Sequence, residues 1–273
     1  MKHGFAATLV NGALAVLTVA SLFPLVWMVS VSFMPTGTAS TLPPPLFPSA
    51  PTLAHYHELL LRAGMLRSLA NSLFLATAVT LTSLAFNTLA GYAFAKLEFQ
   101  GRERVFRTLV SSLLIPGQIA MMPLFLLLKY LGLVNTYGGI IVPALAGVFG
   151  IYLVRQYART IPDEIIEAAR IDGVGEFRIF VTVILPLLRP VLASLAIFTF
   201  LGSWNDFMWP LVVLADDKLQ TLPVALASLS REHVQDNELM MAGSVLTVLP
   251  VVIVFVALQR YYIAGLMAGG VKG

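Results

Sequence analysis

The sequence predicts an all-α integral membrane protein with six transmembrane helices, and three observations carry that prediction. Only 11% of the 273 residues are charged, while 58% are apolar; an average soluble domain is about 25% charged. The charges are also clustered, which leaves six long stretches that are uncharged or nearly so. Finally, a soluble domain of this size has no core large enough to hide so much apolar surface, because single cores stop growing at about 250–300 residues.

The elements follow in order. A helix rising 1.5 Å per residue needs about 20 residues to cross about 30 Å of hydrocarbon. Stretches that meet this requirement lie at about 9–31, 70–95, 108–128, 137–154, 191–214 and 239–259. The first is longer than the roughly 7–15 apolar residues of a signal-peptide core, so it reads as an uncleaved helix. Apart from these spans there is no internal repeat, low-complexity tail or second domain, so residues 1–273 read as one transmembrane domain.

Lys and Arg set the orientation. With the N-terminus inside, twelve of the 17 fall on the side of both termini, and five (Arg62, Arg67, Lys129, Lys218, Arg231) fall opposite. Cytoplasmic loops carry that excess, so both termini are expected in the cytoplasm. The net charge of +3 is what such loops require and gives no case for nucleic acid. The absence of Cys excludes a disulfide framework, a thiolate metal site and a cysteine nucleophile. His55 and His57 lack a third ligand, so no metal site is expected, and they read as surface histidines at the start of a short helix. The Pro-rich loop before them (Pro43, Pro44, Pro45, Pro48, Pro51) is expected to be an extended strap on the outer side.

The inner loop 155–189 is the most informative region, because it is too long for a simple turn between antiparallel helices. Thr160 and Asp163 are spaced as a capping box, and Pro162 suits a first helical turn. A helix of about twelve residues is expected to follow, stopped by Gly173. Phe177, Phe180, Val181 and Ile184 then mark an amphipathic second helix closed by Pro186. Basic and acidic residues balance in this knob, which argues against a polybasic lipid anchor. Two readings stay open: a docking element for a cytoplasmic protein, or a loop helix that packs under the bundle.

The same residues carry a resemblance. Glu167-Ala168-Ala169, Gly173, Val183 and Leu185-Pro186 resemble the signature of permease subunits of ATP-binding-cassette importers, with Val183 in place of Ile. Gly91-Tyr92-Ala93-Phe94-Ala95, Gly202-Ser203-Trp204-Asn205-Asp206 with Trp209-Pro210, and the tail from Gln259 to Gly273 resemble the carbohydrate branch, near the smaller maltose-transporter permease. The resemblance implies a type I importer permease fold in a bacterial inner membrane. Its expected partners are a second permease, two ATPase subunits and an external sugar-binding protein, with lipid around the spans. It makes 155–189 a coupling loop in which Glu167, Ala168, Ala169, Asp172, Gly173, Leu185 and Pro186 meet the ATPase. The tail residues Val271, Lys272 and Gly273 are expected to touch the ATPase as well. The outer loop 215–238 corresponds to one that reaches into the binding protein.

The substrate class implied is a di- or oligosaccharide or a polyol. The chain has no phosphate-binding Gly-rich loop, so it is expected to be no enzyme and to bind no cofactor; ATP and Mg would sit on the partner ATPase. Asp206, the single charge of span five, reads either as an interfacial acid satisfied by water or backbone, or, with Trp204 and Asn205, as lining the sugar path. A stand-alone ion-coupled sugar transporter is the alternative, but it would need more intramembrane ionisable residues than Asp206.

Overall fold

The computed structural model describes the backbone of residues 2–62, 64–232 and 236–270, and the side chains of 9–61, 64–230 and 236–257. Among these residues every regular element is helical. The helices are α1 (Lys2–Ser32), α2 (Ala54–His57, running on as a π turn over Glu58–Arg62), α3 (Met65–Lys96) and α4 (Arg102–Ser111). Next come α5 (Gly117–Tyr130), α6 (Gly138–Ala144), α7 (Val148–Ala158) and α8 (Asp163–Ile171). The rest are α9 (Glu176–Leu187), α10 (Arg189–Trp204), α11 (Met208–Val213), α12 (Leu222–Glu232) and α13 (Asn237–Gly270).

Leu9–Ser32, Met65–Lys96, Gly138–Ala158 and Asn237–Ala257 are each long and apolar enough to cross a membrane. Of the other two predicted stretches, 108–128 bends between α4 and α5 and 191–214 is interrupted between α10 and α11, while a further bend, between α9 and α10, falls ahead of 191–214. Between α4 and α5 the chain turns by 107°, and between α9 and α10 by 78°. The first break has a local cause: Pro116 forces Ile115 into extended backbone (φ −88°, ψ 119°), because the proline ring disfavours helical geometry at the residue before it. The stretch expected at 191–214 also ends early. Helix α10 stops at Trp204, and Asp206 accepts the main-chain N–H of Trp209 at 3.3 Å, at the start of α11. Asp206 therefore lies in a gap between two helices rather than along one.

The chain divides into two compact units, Met1–Leu69 with Leu222–Pro250, and Ala70–Thr221 with Val251–Gly273. In the first, the Pro-rich strap is held by polar contacts. Ser30 Oγ donates to the Leu46 carbonyl, the hydroxyls of Ser32 and Tyr56 meet at 2.7 Å, and the buried carboxylate of Glu238 accepts the Ala39 N–H at 2.7 Å. His55, expected at the surface, is 4% exposed, and its Nε2 lies 2.9 Å from the Met34 carbonyl. The ring of the next residue, Tyr56, packs on Phe33, with centroids 5.4 Å apart. His57 stays exposed.

In the second unit, Tyr92, Val154, Ile166, Ile179, Phe180, Ile184, Leu188 and Leu195 form one buried cluster that joins α3, α7, α8, α9 and α10. Gly91 makes the junction possible. A Cβ there would sit 2.6 Å from the Val154 side chain and 3.1 Å from the Arg155 nitrogen, closer than packed atoms tolerate.

Candidate coupling knob and membrane cavity

The knob at 155–189 is built from α8 and α9. Helix α8 is nine residues long, shorter than expected, and starts after Pro162. The Thr160–Asp163 capping box does not form: the Thr160 hydroxyl donates back to the Tyr157 carbonyl at 2.8 Å. Asp163 is engaged elsewhere, 2.5 Å from the Lys96 ammonium at the end of α3, and the same ammonium donates to the Ile161 carbonyl. Lys96, hydrogen-bonded to Asp163, holds that carboxyl below the usual carboxylate range.

Gly173 ends α8 as the sequence predicts, in the left-handed conformation with φ +76°. The Gly173 N–H donates to the Arg170 carbonyl and the Val174 N–H to the Ala169 carbonyl, both at 3.0 Å. This pair of bonds is a Schellman motif, and it ties Ala169 of the Glu-Ala-Ala sequence to the glycine four residues on. Across the turn, Arg170 Nε donates to Glu176 Oε1 at 2.5 Å, and Tyr92 Oη donates to Glu176 Oε2 at 3.3 Å. The Arg170 bond holds the Glu176 carboxyl below its ordinary range.

The predicted stripe of α9 is shifted. Ile179, Phe180, Ile184 and Leu188 are buried, whereas Phe177 is 74% exposed and Val181 is exposed too. A π turn over Phe180–Ile184 takes more residues per turn than an α-helix, so the buried face does not keep the 3.6 period. The helix also runs through Pro186 to Leu187 before bending. Leu185 and Pro186 are half-buried, with Leu185 packed on the cluster under the knob. Glu167, Ala168, Asp172 and Gly173 are exposed. So are Ile171 and Phe177, two large apolar side chains for which sequence reasoning assigned no outward role.

Arg155 is a further anchor that spacing alone did not reveal. Its side chain is 6% exposed, pairs with Glu103, donates to the Phe94 carbonyl at 3.1 Å and lies 3.8 Å over the Phe106 ring. In the sequence it counted only as one of the cytoplasmic basic residues. A buried Arg needs such partners, because an unpaired charge out of water is costly.

The second feature is a cavity of about 510 Å³ in the unit Ala70–Thr221. Its polar lining is Ser83, Asn87, Thr199, Ser203 and Asp206, and its aromatic lining is Phe149, Phe198 and Trp209. Of the three residues proposed from sequence for the sugar path, Asp206 lines this cavity. Trp204 is 1% exposed and stacks on Phe200. Asn205 is exposed and donates to the Leu201 carbonyl. The tail residues Val271, Lys272 and Gly273 lie outside the described residues.

Apolar helices of membrane-spanning length, two of the stretches broken at a bend, and an exposed knob sealed by a left-handed glycine define a membrane permease. The chain belongs to the family of binding-protein-dependent transport system inner membrane components, whose profile matches residues 87–267. It is 41% identical over 256 residues to an arabinooligosaccharides transport system permease protein of Halalkalibacterium halodurans, covering 93% of this chain and 92% of that one. It is 34% identical to a trehalose/maltose transport system permease protein of Thermococcus litoralis, covering 97% and 96%. Among solved structures, a bacterial ABC transporter involved in the import of alginate matches its fold with a TM-score of 0.85 at 24% identity, covering 96% of this chain and 98% of that one.

Proposed function

We propose that this chain is one of two permease subunits in an ATP-driven importer of a sugar of the di- or oligosaccharide or polyol class. The observation that carries the reading is the knob. Glu167 and Ala168 stand exposed on a short helix whose far side is fixed to α3 by Lys96, Arg170 and Tyr92. A helix so anchored moves as a body with α3, so a push on it from a cytoplasmic ATPase reaches the spans. Exposed Ala residues let a partner's backbone come close, Glu167 offers a carboxylate to a partner's basic group, and Ile171 and Phe177 offer apolar area.

In this reading six stretches cross the bacterial inner membrane, with α4 and α5 supplying one and α10 and α11 another while α9 stays in the cytoplasmic knob, and both termini are cytoplasmic. ATP and Mg are held by two partner ATPase subunits. An external binding protein releases sugar into the path, and rocking of the paired permeases alternates access. Relatives whose names specify sugar transport support the substrate class. Val271, Lys272 and Gly273 are assigned to the ATPase contact together with the knob.

Purification from native membranes tests this. Stoichiometric recovery of an ATPase pair and a second permease is expected, with ATP hydrolysis stimulated by sugar-loaded binding protein. Sugar–proton exchange by the lone chain would support an ion-coupled transporter instead.

A further inference from the structure

Asn87, nine residues before the end of α3, is 1% exposed, and its Oδ1 meets no hydrogen-bond partner. Its Nδ2 donates to Ser83 Oγ at 2.8 Å. A hydroxyl can serve either end of an amide, so with the amide turned either way Ser83 satisfies one end and leaves the other. Buried polar groups are almost always paired, and one left unpaired points to a missing partner. Asn87 lines the 510 Å³ cavity, so that partner has a place to sit.

The lining states what the partner is. Hydroxyls of Ser83, Thr199 and Ser203 and the Asn87 amide present donors and acceptors, and Phe149, Phe198 and Trp209 present ring faces and edges. Such a mix suits a molecule with hydroxyls on its rim and C–H groups on its faces. The one ionisable lining residue is Asp206. No basic side chain is in the lining to offset the charge of an anion, and a charge taken out of water without a partner is costly. The volume lies within the roughly 300–1,000 Å³ of small-molecule sites.

We infer that this cavity is a subsite within this subunit for a neutral polyhydroxylated molecule, one or two sugar rings in size, and that Asn87 hydrogen-bonds it. This rests on the importer reading and adds where the cargo sits and which charge it cannot carry. Direct contact with cargo is therefore assigned to this chain rather than left to its partner permease.

The test is made on the whole transporter with its binding protein in proteoliposomes, using radiolabelled arabinobiose, melibiose and maltotriose as probes. Two variants are compared with the wild type. Asn87→Leu removes the amide. Gly202→Leu fills the cavity, and a Cβ at Gly202 meets nothing within 4 Å, so it does so without a backbone clash. For the probe the wild type carries, sugar delivered per ATP hydrolysed should fall about tenfold in Asn87→Leu, as loss of one buried hydrogen bond predicts. In Gly202→Leu the fall should be steeper for the larger probes. Unchanged delivery per ATP in both variants overturns the subsite. So does a parallel loss of uptake and hydrolysis that leaves the ratio intact, or loss of the second permease on purification, since Asn87 would then serve folding or the subunit contact. A wild type whose hydrolysis ignores loaded binding protein defeats the importer reading itself, and the subsite falls with it.

Discussion

Lys96 and Asp163 are 67 positions apart in the sequence, yet their charged atoms lie 2.5 Å apart. Lys96 is the last residue of α3 and Asp163 the first of α8, so this pair fixes the start of the knob to the end of a membrane-crossing helix. The Lys96 side chain is 4% exposed, while that of Asp163 is 73% exposed. The contact is thus half sheltered, with the lysine side held by the Ile161 carbonyl too.

A pH dependence follows. Because the folded Asp163 carboxyl is held below its ordinary value, its contribution is present above about pH 3.9, the unfolded carboxylate value, and is lost as pH falls through the folded one. Glu176, paired with Arg170, titrates in the same direction. Hydrogen exchange in residues 163–171, corrected for intrinsic rates, should therefore be flat from pH 8 to about 5.5 and rise below about pH 4. Asp163→Asn should raise exchange about two- to fivefold at pH 7 and reduce the acid response, without abolishing it because Glu176 remains. An unchanged acid response in that variant would remove Asp163 from the clamp.

Much of this arrangement was legible beforehand, and the reasons the rest was not are physical. Apolar length reveals spans because hydrocarbon thickness is fixed, and a glycine at 173 after a charged amphipathic run marks a helix stop. Counting apolar residues is blind to direction, however, so the turn at Pro116 and the gap at Asp206 passed as straight helices. The Lys96–Asp163 and Arg155–Glu103 pairs were illegible because nothing local links their positions. Trp204, Asn205 and Asp206 are consecutive, and successive residues at a helix end point about 100° apart, so one faces the core, one the exterior and one the cavity.

The knob itself gives a charge test. Glu167→Lys should insert normally but fail to couple, with binding-protein-stimulated hydrolysis and uptake both falling at least about tenfold. A reversed charge on the partner ATPase should restore part of the loss. Gly173→Asp meets no steric obstacle, since nothing lies within 4 Å of its Cβ, but φ +76° costs an L-residue about 1–2 kcal/mol. It should tilt the knob and lower coupling less than Glu167→Lys. Normal coupling in both variants would deprive the knob of its lever role.

Packing at Gly91 is tight enough for a stability measurement. Gly91→Ala drives a methyl to within 2.6 Å of Val154 and should cost about 1–3 kcal/mol. This is read as a lower midpoint in thermal aggregation of the purified chain. Gly202→Ala, into open space within a helix, should hold or raise the midpoint. A second substitution, Val154→Ala, should not restore the midpoint, because the Val154 Cβ that it keeps is itself 2.6 Å from the added methyl.

In the strap, Glu238 is fully buried and Oε1 accepts the Ala39 N–H, while Asn237 reaches Ser40 Oγ at 3.2 Å. Glu238→Leu leaves that N–H unsatisfied and should loosen residues 39–47. Chymotryptic cleavage after Leu46, already 54% exposed, should speed up several-fold. Equal cleavage rates would show the strap to be held by its other contacts alone.

Topology can be read chemically, because the chain has no cysteine. Single cysteines at Asp217 and Glu176, both exposed, should label from opposite sides of the membrane, Asp217→Cys from outside. External labelling of Glu176→Cys would invert the orientation taken from the Lys and Arg distribution.

Helix α3 has 32 residues, hence a length of about 48 Å. A hydrocarbon layer of about 30 Å crossed at the usual tilt of about 20° accommodates only about 32 Å of it. About 16 Å, some ten residues, must stand clear of the lipid tails. Any part of the surplus at the Lys96 end carries the grip on Asp163 out of the lipid tails with it. Shortening α3 by one turn, with every contact drawn in about 5.4 Å, would sink that ion pair toward the acyl chains. The length of this helix therefore sets how far from the bilayer the knob stands.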